Sequence, residues 1–453
     1  MPKKRKKATT KKQQSRRNIK HLGTTSDTLT SRAGLVPFAN FLDSCQASTK
    51  ISLELSDMRK SQKGIKLDDA FFQLLMFFAD GTGQSLATFD KLRKDPSWKA
   101  ITGAVKPLGT AQLKRLLDNV APSHIEKVRP LIRQSAISAL KAKSPERVIL
   151  FLDSSVYDND GAKCRGGVEY TYKKKEGYHP INLIWQGMYM DTVFQKGSCS
   201  TNHDGVAIEM IKEITPLIRE ALGEDIPIIV RMDSGYFDQK IFSACDYLKI
   251  NFVCAGKRYK DHQVFEQKHI DDFDGTFQNK GCTWKYCEFK ERRSTWPTDM
   301  DYRALFLRAV EENGEALLGL DSRIILTNLS EEEASNDEVI KYDHSRGADE
   351  LTHRVAKEFR SERMPCLDYT HNNFLYTMSI LALNLFQIFK RDIAGFSWDS
   401  YPLTLRRKLF DVAGKIVDTS RELTLKVTEW TMKELSFEEI WRKSKEFRPI
   451  FSL

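Results

Sequence analysis

The chain has 453 residues, 41% of them hydrophobic, including 26 Phe, 14 Tyr and 7 Trp, which is enough for two or three packed domains and too much for one small module. A formal net charge of +10 comes from the first twenty residues, which hold ten Lys/Arg and no acid; beyond them basic and acidic residues balance at 61 each. Eight cysteines without a paired framework and no apolar leader argue against a disulfide scaffold and a secreted protein, so a reducing, cytoplasmic setting without a membrane partner is expected.

In chain order, residues 1–30 read as a disordered basic arm suited to a polyanion, since each neutralised phosphate releases condensed counterions. Its PKKRK string fits nuclear import equally well. Residues 31–145 are helical in period, with Leu67 to Ala79 opening on Asp68-Asp69 and closing at Asp80-Gly81, a second helix from Ser85 to about Arg93, and a third from Gly109-Thr110 to Asn119. Acids at the start and glycine past the end are helix punctuation. Short helices between glycine turns fit a DNA-reading helix-turn-helix, and also fit small helical domains of other kinds.

At Arg147 the pattern changes to the continuous apolar strand 147–152, typical of a strand buried on both faces. Residues 181–196 and 198–201 read as two further strands of a meander, followed by a helix over 206–222, the strand Pro227 to Arg231, a helix over 238–248 and the strand Asn251 to Ala255. That order predicts an α/β fold with a mixed sheet flanked by helices, of ribonuclease-H-like type. Residues 258–338 break the rhythm with short alternating runs at 276–279, 282–290, 302–310, 316–320 and 322–327, an antiparallel β insertion, and end in an acidic turn-rich patch at 331–338. Cys282 and Cys287 lie in this β segment without a second pair at zinc spacing. Helical period returns from Ser345 to about Glu362 and from 370 to 392. The apolar run Phe374 to Phe389 carries Ser379, Asn384 and Gln387 and is too short and polar for a membrane span. Residues 396–453 form a C-terminal region with a helix near 404–416 and a strand at 422–427.

Asp153 ends the strand RVILFL and Asp233 ends PIIVRM. Acids at the carboxyl ends of central strands lie on the rim where α/β sites form, and if these strands are neighbours the two carboxylates can share a cation. Glu350 falls on the helix after the insertion, on one stripe with Arg346, position 353 or 354, and Lys357. Phosphodiester transfer needs relief of charge on the attacking oxygen, the leaving oxygen and the phosphoryl group. Two Mg²⁺ ions about 4 Å apart, held by carboxylates, provide it, and cationic side chains on the same helix can hold flanking phosphates. His203-Asp204 can orient DNA or water, or simply structure its loop. Lys257 and Arg258 can hold a phosphate or remain surface charges.

The segments RVILFLDSS, YKKKEGYHPINLIWQG, GSCSTNHDG, VRMDSGYF, YDHSRGADELTHRVAKEF, NNFLYTMSILALNLFQIFKR and TLRRKLFDVAGKIV, between about 65 and 430, resemble the DDE transposases of bacterial insertion sequences, specifically the insertion-sequence 1380 family, kin to the insertion-sequence 4 group. The resemblance implies a catalytic core over 146–257 and 339–395, interrupted by the 258–338 insertion and preceded by the helical DNA-binding region. It implies a metal-binding triad of Asp153, Asp233 and Glu350, with two Mg²⁺ ions (Mn²⁺ as substitute) and no small-molecule cofactor. Arg346, Glu350 and Lys357 keep the Arg-three-Glu-six-Lys spacing of the related group, whereas Tyr342 stands three residues before Arg346 rather than two. Asp349 and Glu358, the rival third acids, would break that register. The implied activity is cut-and-paste transposition of double-stranded DNA at terminal inverted repeats, with insertion into target DNA, by a homodimer at the nucleoid. A nuclease that cuts without joining, and a catalytically silent DNA-binding protein, are the competing classes.

Overall fold

The computed structural model describes residues 19–59, 63–269, 272–279, 281–298, 300–310, 322–360, 362–397, 399–419 and 422–452, with the backbone alone for 346–350. A nine-stranded sheet organises the chain. Its strands are β1 Val148–Ser154, β2 Ile181–Trp185, β3 Met188–Val193, β4 Ile228–Met232, β5 Asn251–Ala255, β6 Gly275–Asn279, β7 Cys282–Glu291, β8 Tyr302–Val310 and β9 Arg323–Thr327. In space they run β6-β7-β8-β9-β5-β4-β1-β2-β3. β1, β4 and β5 are parallel neighbours, and β2 is antiparallel to β1.

Local chemistry accounts for most element ends. The helix Leu67–Asp80 opens on Asp68 and Asp69 and stops at Gly81, whose φ of +64° is left-handed, a conformation glycine takes without Cβ cost. β2 and β3 form a tight hairpin because Gln186 and Gly187 both have positive φ, which matches the twist of the strands they join. The meander strands expected from 181–196 and 198–201 are therefore both contained in 181–193, and 198–201 is loop.

Several expectations change. The insertion strands are antiparallel, as read, but they are not a sheet of their own: β9 pairs with β5 through Ile325↔Ala255, Leu326↔Cys254 and Thr327↔Val253. A helix, Lys260–Lys268, precedes them, and the 316–320 run lies outside the described residues. The acidic patch at 331–338 contains a helix start, because Ser335 and Glu338 form a reciprocal capping box for the helix Asn336–His344. The basic arm ends sooner than residue 30, since Thr28–Thr30 pairs with Gly414–Asp418; residues 1–18 lie outside the described residues. Gly414–Asp418 is a strand where helix was expected, paired also with Leu423–Lys426.

Helices cover both faces of the sheet. α1, Asn336–His344, buries Val339 and Ile340 against Ile229, Val253, Leu305, Leu307 and Ile325, all on one face by strand alternation. α2, Arg346–Phe359, continues along that face. The opposite face carries Phe252, stacked on Phe242 of the helix Gln239–Tyr247 at 4.6 Å. Among the described residues no helix is long and apolar enough to cross a membrane.

Candidate active site on the sheet rim

Asp153 is the last residue but one of β1, and Asp233 directly follows β4. The parallel register pairs Leu152 with Met232, so the two aspartates leave their strands level with each other and on the same face. That is the face covered by α2. Strand neighbours lie about 4.8 Å apart, close enough for two carboxylates to share solvent, proton or cation.

Asp233 is fixed by its own turn, where its Oδ1 accepts the Gly235 backbone N–H at 2.8 Å. Asp153 is held from above: His353 of α2 contacts Asp153 Oδ2 through Nε2 at 3.0 Å. One turn further along α2, Lys357 Nζ donates to the Val156 carbonyl at 2.6 Å and pairs with Glu362 at 2.7 Å. Of the stripe anticipated along this helix, His353 and Lys357 thus contact residues at the end of β1. At the other end Arg231 Nη1 donates to Ser345 Oγ, just before α2 begins. The turn carrying Arg346 and Glu350 runs between these two anchors; the side chains of 346–350 lie outside the described residues.

A second ring of groups surrounds the acids. His179 Nε2 meets Ser154 Oγ at 2.8 Å, and its Nδ1 meets the Cys199 carbonyl at 2.9 Å. Tyr172 packs its ring 5.1 Å from that of His179. Burial holds the His179 imidazole below its usual pKa, opposed by the Cys199 carbonyl and both aspartates. Burial raises the phenols of Tyr172 and Tyr236, and Asp153 and Asp233 push both further up. Each of these three side chains feels the charge of both acids.

Other residues singled out in the sequence fall at varied distances. His203 is about half exposed, on a loop docked beside Asp233 by Thr201 Oγ1 to the Gly235 carbonyl at 2.8 Å and Asn202 to Asp238 at 3.0 Å. Lys257 is exposed two residues past β5, on the same edge of the sheet, whereas Arg258 is tied to Glu266 at 2.8 Å. Glu358 accepts the Leu403 backbone N–H at 2.8 Å and is thereby committed to another helix start; Asp349 is outside the described side chains. Tyr342 is not at the rim. Its hydroxyl accepts from Arg147 at 2.7 Å, at the start of β1 and roughly 20 Å of strand away from Asp153. His179, Ser154, Tyr172 and Tyr236 had no role in the sequence reading, though Ser154 and Tyr236 lie within three residues of an acid.

Among the described residues no three of His, Cys, Asp and Glu converge as an ion site. The two aspartates are hard oxygen donors of the kind Mg²⁺ takes, and their fit to a divalent cation is chemical. No curated protein matches the chain closely enough to count as a relative. Among solved structures it is similar to the piggyBac transposase of a cryo-EM synaptic complex with hairpin DNA, at 12% identity over 83% of this chain and 79% of that one, with a TM-score of 0.44. A family model described as transposase DDE domain group 1 matches residues 11–446. With nearly its whole length so matched, the chain belongs to the DDE transposase family, group 1.

Proposed function

We propose that the protein is a cut-and-paste DNA transposase of the insertion-sequence 1380 type, with Asp153, Asp233 and Glu350 as its catalytic acids. The observation that carries the reading is the Leu152↔Met232 register, which sets two acids from strands eighty residues apart level on one face. Support for the third comes from α2, anchored on Arg231 through its N-cap Ser345 and on Asp153 through His353 in its middle, with the backbone of Glu350 on the turn between. The central order β3-β2-β1-β4-β5, with β2 alone reversed, supports a ribonuclease-H-like core.

In this reading the three carboxylates hold two divalent ions, Mg²⁺ or Mn²⁺, which when bound would neutralise charge on the phosphoryl group and favour an oxygen nucleophile. The chain's own groups do the rest. Asp233 is fixed by the Gly235 N–H and Asp153 by His353, so both carboxylates are oriented before substrate arrives. In this reading Lys357, Arg346, Lys257 and His203 contact flanking phosphates of double-stranded DNA. The helical region before residue 145 and the basic arm read the terminal inverted repeats, and two protomers pair two ends at the nucleoid.

The test is cleavage and joining of end-containing DNA by wild type, Asp153→Asn, Asp233→Asn and Glu350→Gln. Wild type is expected to cut the end and to join a precut 3′-OH end to target DNA, and each variant to do neither while still binding DNA. Cutting without joining in the wild type would make the protein a nuclease instead. Activity retained in a variant would remove that acid from the site.

A further inference from the structure

A cavity of about 470 Å³ opens between α2, the β2–β3 turn and the start of β1, within the size range of small-molecule sites. It lies toward the opposite end of β1 from Asp153, and neither rim aspartate lines it. Ile149, Val355 and Tyr401 supply apolar wall.

Three kinds of polar group converge on this space. Lys143 and Arg147 stand exposed at its mouth. Lys143 Nζ donates to Gln186 Oε1 at 2.6 Å, and Arg147 Nη1 to the Tyr342 hydroxyl at 2.7 Å. Both acceptors are neutral, and among the described residues neither cation has a carboxylate within ion-pair distance. Arg231, the third cation of the lining, is already engaged by Ser345 and by the face of the Phe151 ring. Asp399 is also exposed at the mouth, where its carboxylate accepts from the Ser397 hydroxyl. The third group is Gln387, on the helix Tyr369–Ile388. Its side chain is 2% exposed, yet its Oε1 has no hydrogen-bond partner among the described residues. Burying an amide oxygen without a donor is unfavourable, and the space that Gln387 lines is this cavity.

A ligand complementary to the set carries an anionic group for the two cations, hydroxyls for Asp399, and a flat body with an N–H at its edge for Gln387. A nucleotide has all three, as phosphates, a ribose diol and a base. A bare phosphate leaves Gln387 without a donor, and a purely apolar molecule leaves the cations without an anion. We propose that this cavity binds a free nucleotide, with its phosphates on Lys143 and Arg147 and its base between the apolar walls, donating an N–H to Gln387. Leu351, Thr352 and Val355 of α2 line the site, and His353 of the same helix contacts Asp153. The occupant is therefore an effector braced against α2, not a reactant at the acids. The assignment does not rest on the transposase reading.

The experiment is isothermal titration calorimetry of the full-length protein with ATP in EDTA, which removes metal-mediated binding at the aspartates. Wild type is expected to bind one ATP saturably, and more tightly than either inorganic triphosphate or adenosine. Lys143→Ala combined with Arg147→Ala should weaken ATP binding at least about 10-fold, as loss of hydrogen bonds to a charged group does. Gln387→Leu should weaken ATP by about 2- to 10-fold and leave triphosphate unchanged, because only the base reaches it. Leu351→Trp, at the exposed mouth, should block ATP without touching the core, so the test survives if Gln387→Leu fails to fold. No saturable ATP binding, equal binding of triphosphate, or unchanged affinity in the Lys143/Arg147 and Leu351 variants overturns the proposal. Displacement of ATP by an equal or lower concentration of a six-nucleotide oligothymidylate would make the cavity a DNA contact and overturn the free-nucleotide assignment. None of these outcomes bears on DNA cleavage, so the transposase reading stands or falls separately.

Discussion

Asp191, in the middle of β3, and the pair Asp153 and Asp233, at the ends of β1 and β4, are carboxylates of one sheet in opposite circumstances. Asp191 is fully buried and meets two guanidinium groups of the helix Pro122–Lys143, Arg129 and Arg133, each at 2.8 Å. Burial works against the Arg129 charge, but Asp191 and Glu126 outweigh it and hold its pKa above the ordinary value. At the rim, two acids converge on one face, Asp153 facing an imidazole and Asp233 a backbone N–H. Opposite charges neutralised inside the fold are architecture. Like charges brought together at an accessible edge repel each other, lower stability, and are kept where a cation or a proton is to be held.

The sharpest way to break this comparison is to neutralise each carboxylate and read stability and activity together. Asp153→Asn and Asp233→Asn are expected to cost at least about 10³-fold in DNA cleavage, as loss of a member of a catalytic unit does. Their thermal midpoints should stay level or rise, since a repulsion is relieved. Melting far below wild type would place the two acids among the structural ones. Asp191→Ala should behave in reverse and destabilise the fold by about 3–5 kcal/mol, because two guanidiniums are left buried together without their buried counter-charge. Urea unfolding would show this as a lower midpoint, and an unchanged midpoint would deny Asp191 its structural role.

His353 joins the two regimes, being a buried partner of an acid that has work to do. Its side chain is 11% exposed and touches Asp153 from a position 200 residues away. His353→Ala should lower cleavage by about 10- to 100-fold, the usual cost of removing a group that orients a ligating carboxylate. Binding of Mn²⁺, followed by calorimetry, should weaken in parallel. Activity within twofold of wild type would make the contact incidental.

These contrasts also show what the chain reveals in linear form. RVILFLD and PIIVRMD were legible because a strand buried on both faces must be continuously apolar, so the acid that ends it stands out. The helix Leu67–Asp80 was legible from its own end residues. Contacts set by distant pairing were not. Nothing local tells β9 to pair with β5, Thr28–Thr30 with Gly414–Asp418, or His353 with Asp153. Ser335 and Glu338 did carry a local signal, which the surrounding acids of 331–338 masked as a turn. Tyr172 opens the segment YKKKEGYHPINLIWQG, and only the fold brings its ring against His179.

The smallest expected effect tests whether burial, rather than charge pairing as such, separates the two kinds of carboxylate. Arg133 also pairs with Glu213 at 2.9 Å, and Arg129 with Glu126 at 2.8 Å, but these glutamates are 53% and 64% exposed. They touch the same guanidiniums as Asp191 at nearly the same distance, though through Nη1 alone where Asp191 meets Nε and Nη2 of each. If pairing alone mattered, Glu213→Ala would approach the cost of Asp191→Ala. Water screens the outer pairs and already solvates the glutamates in the unfolded chain, so Glu213→Ala and Glu126→Ala should each cost no more than about 1 kcal/mol. That cost should shrink in high salt, whereas the loss in Asp191→Ala should persist, because ions do not enter the buried side of the cluster. Urea midpoints at low and high salt for the three variants distinguish the cases, and equal losses across them would mean that burial is not what sets Asp191 apart.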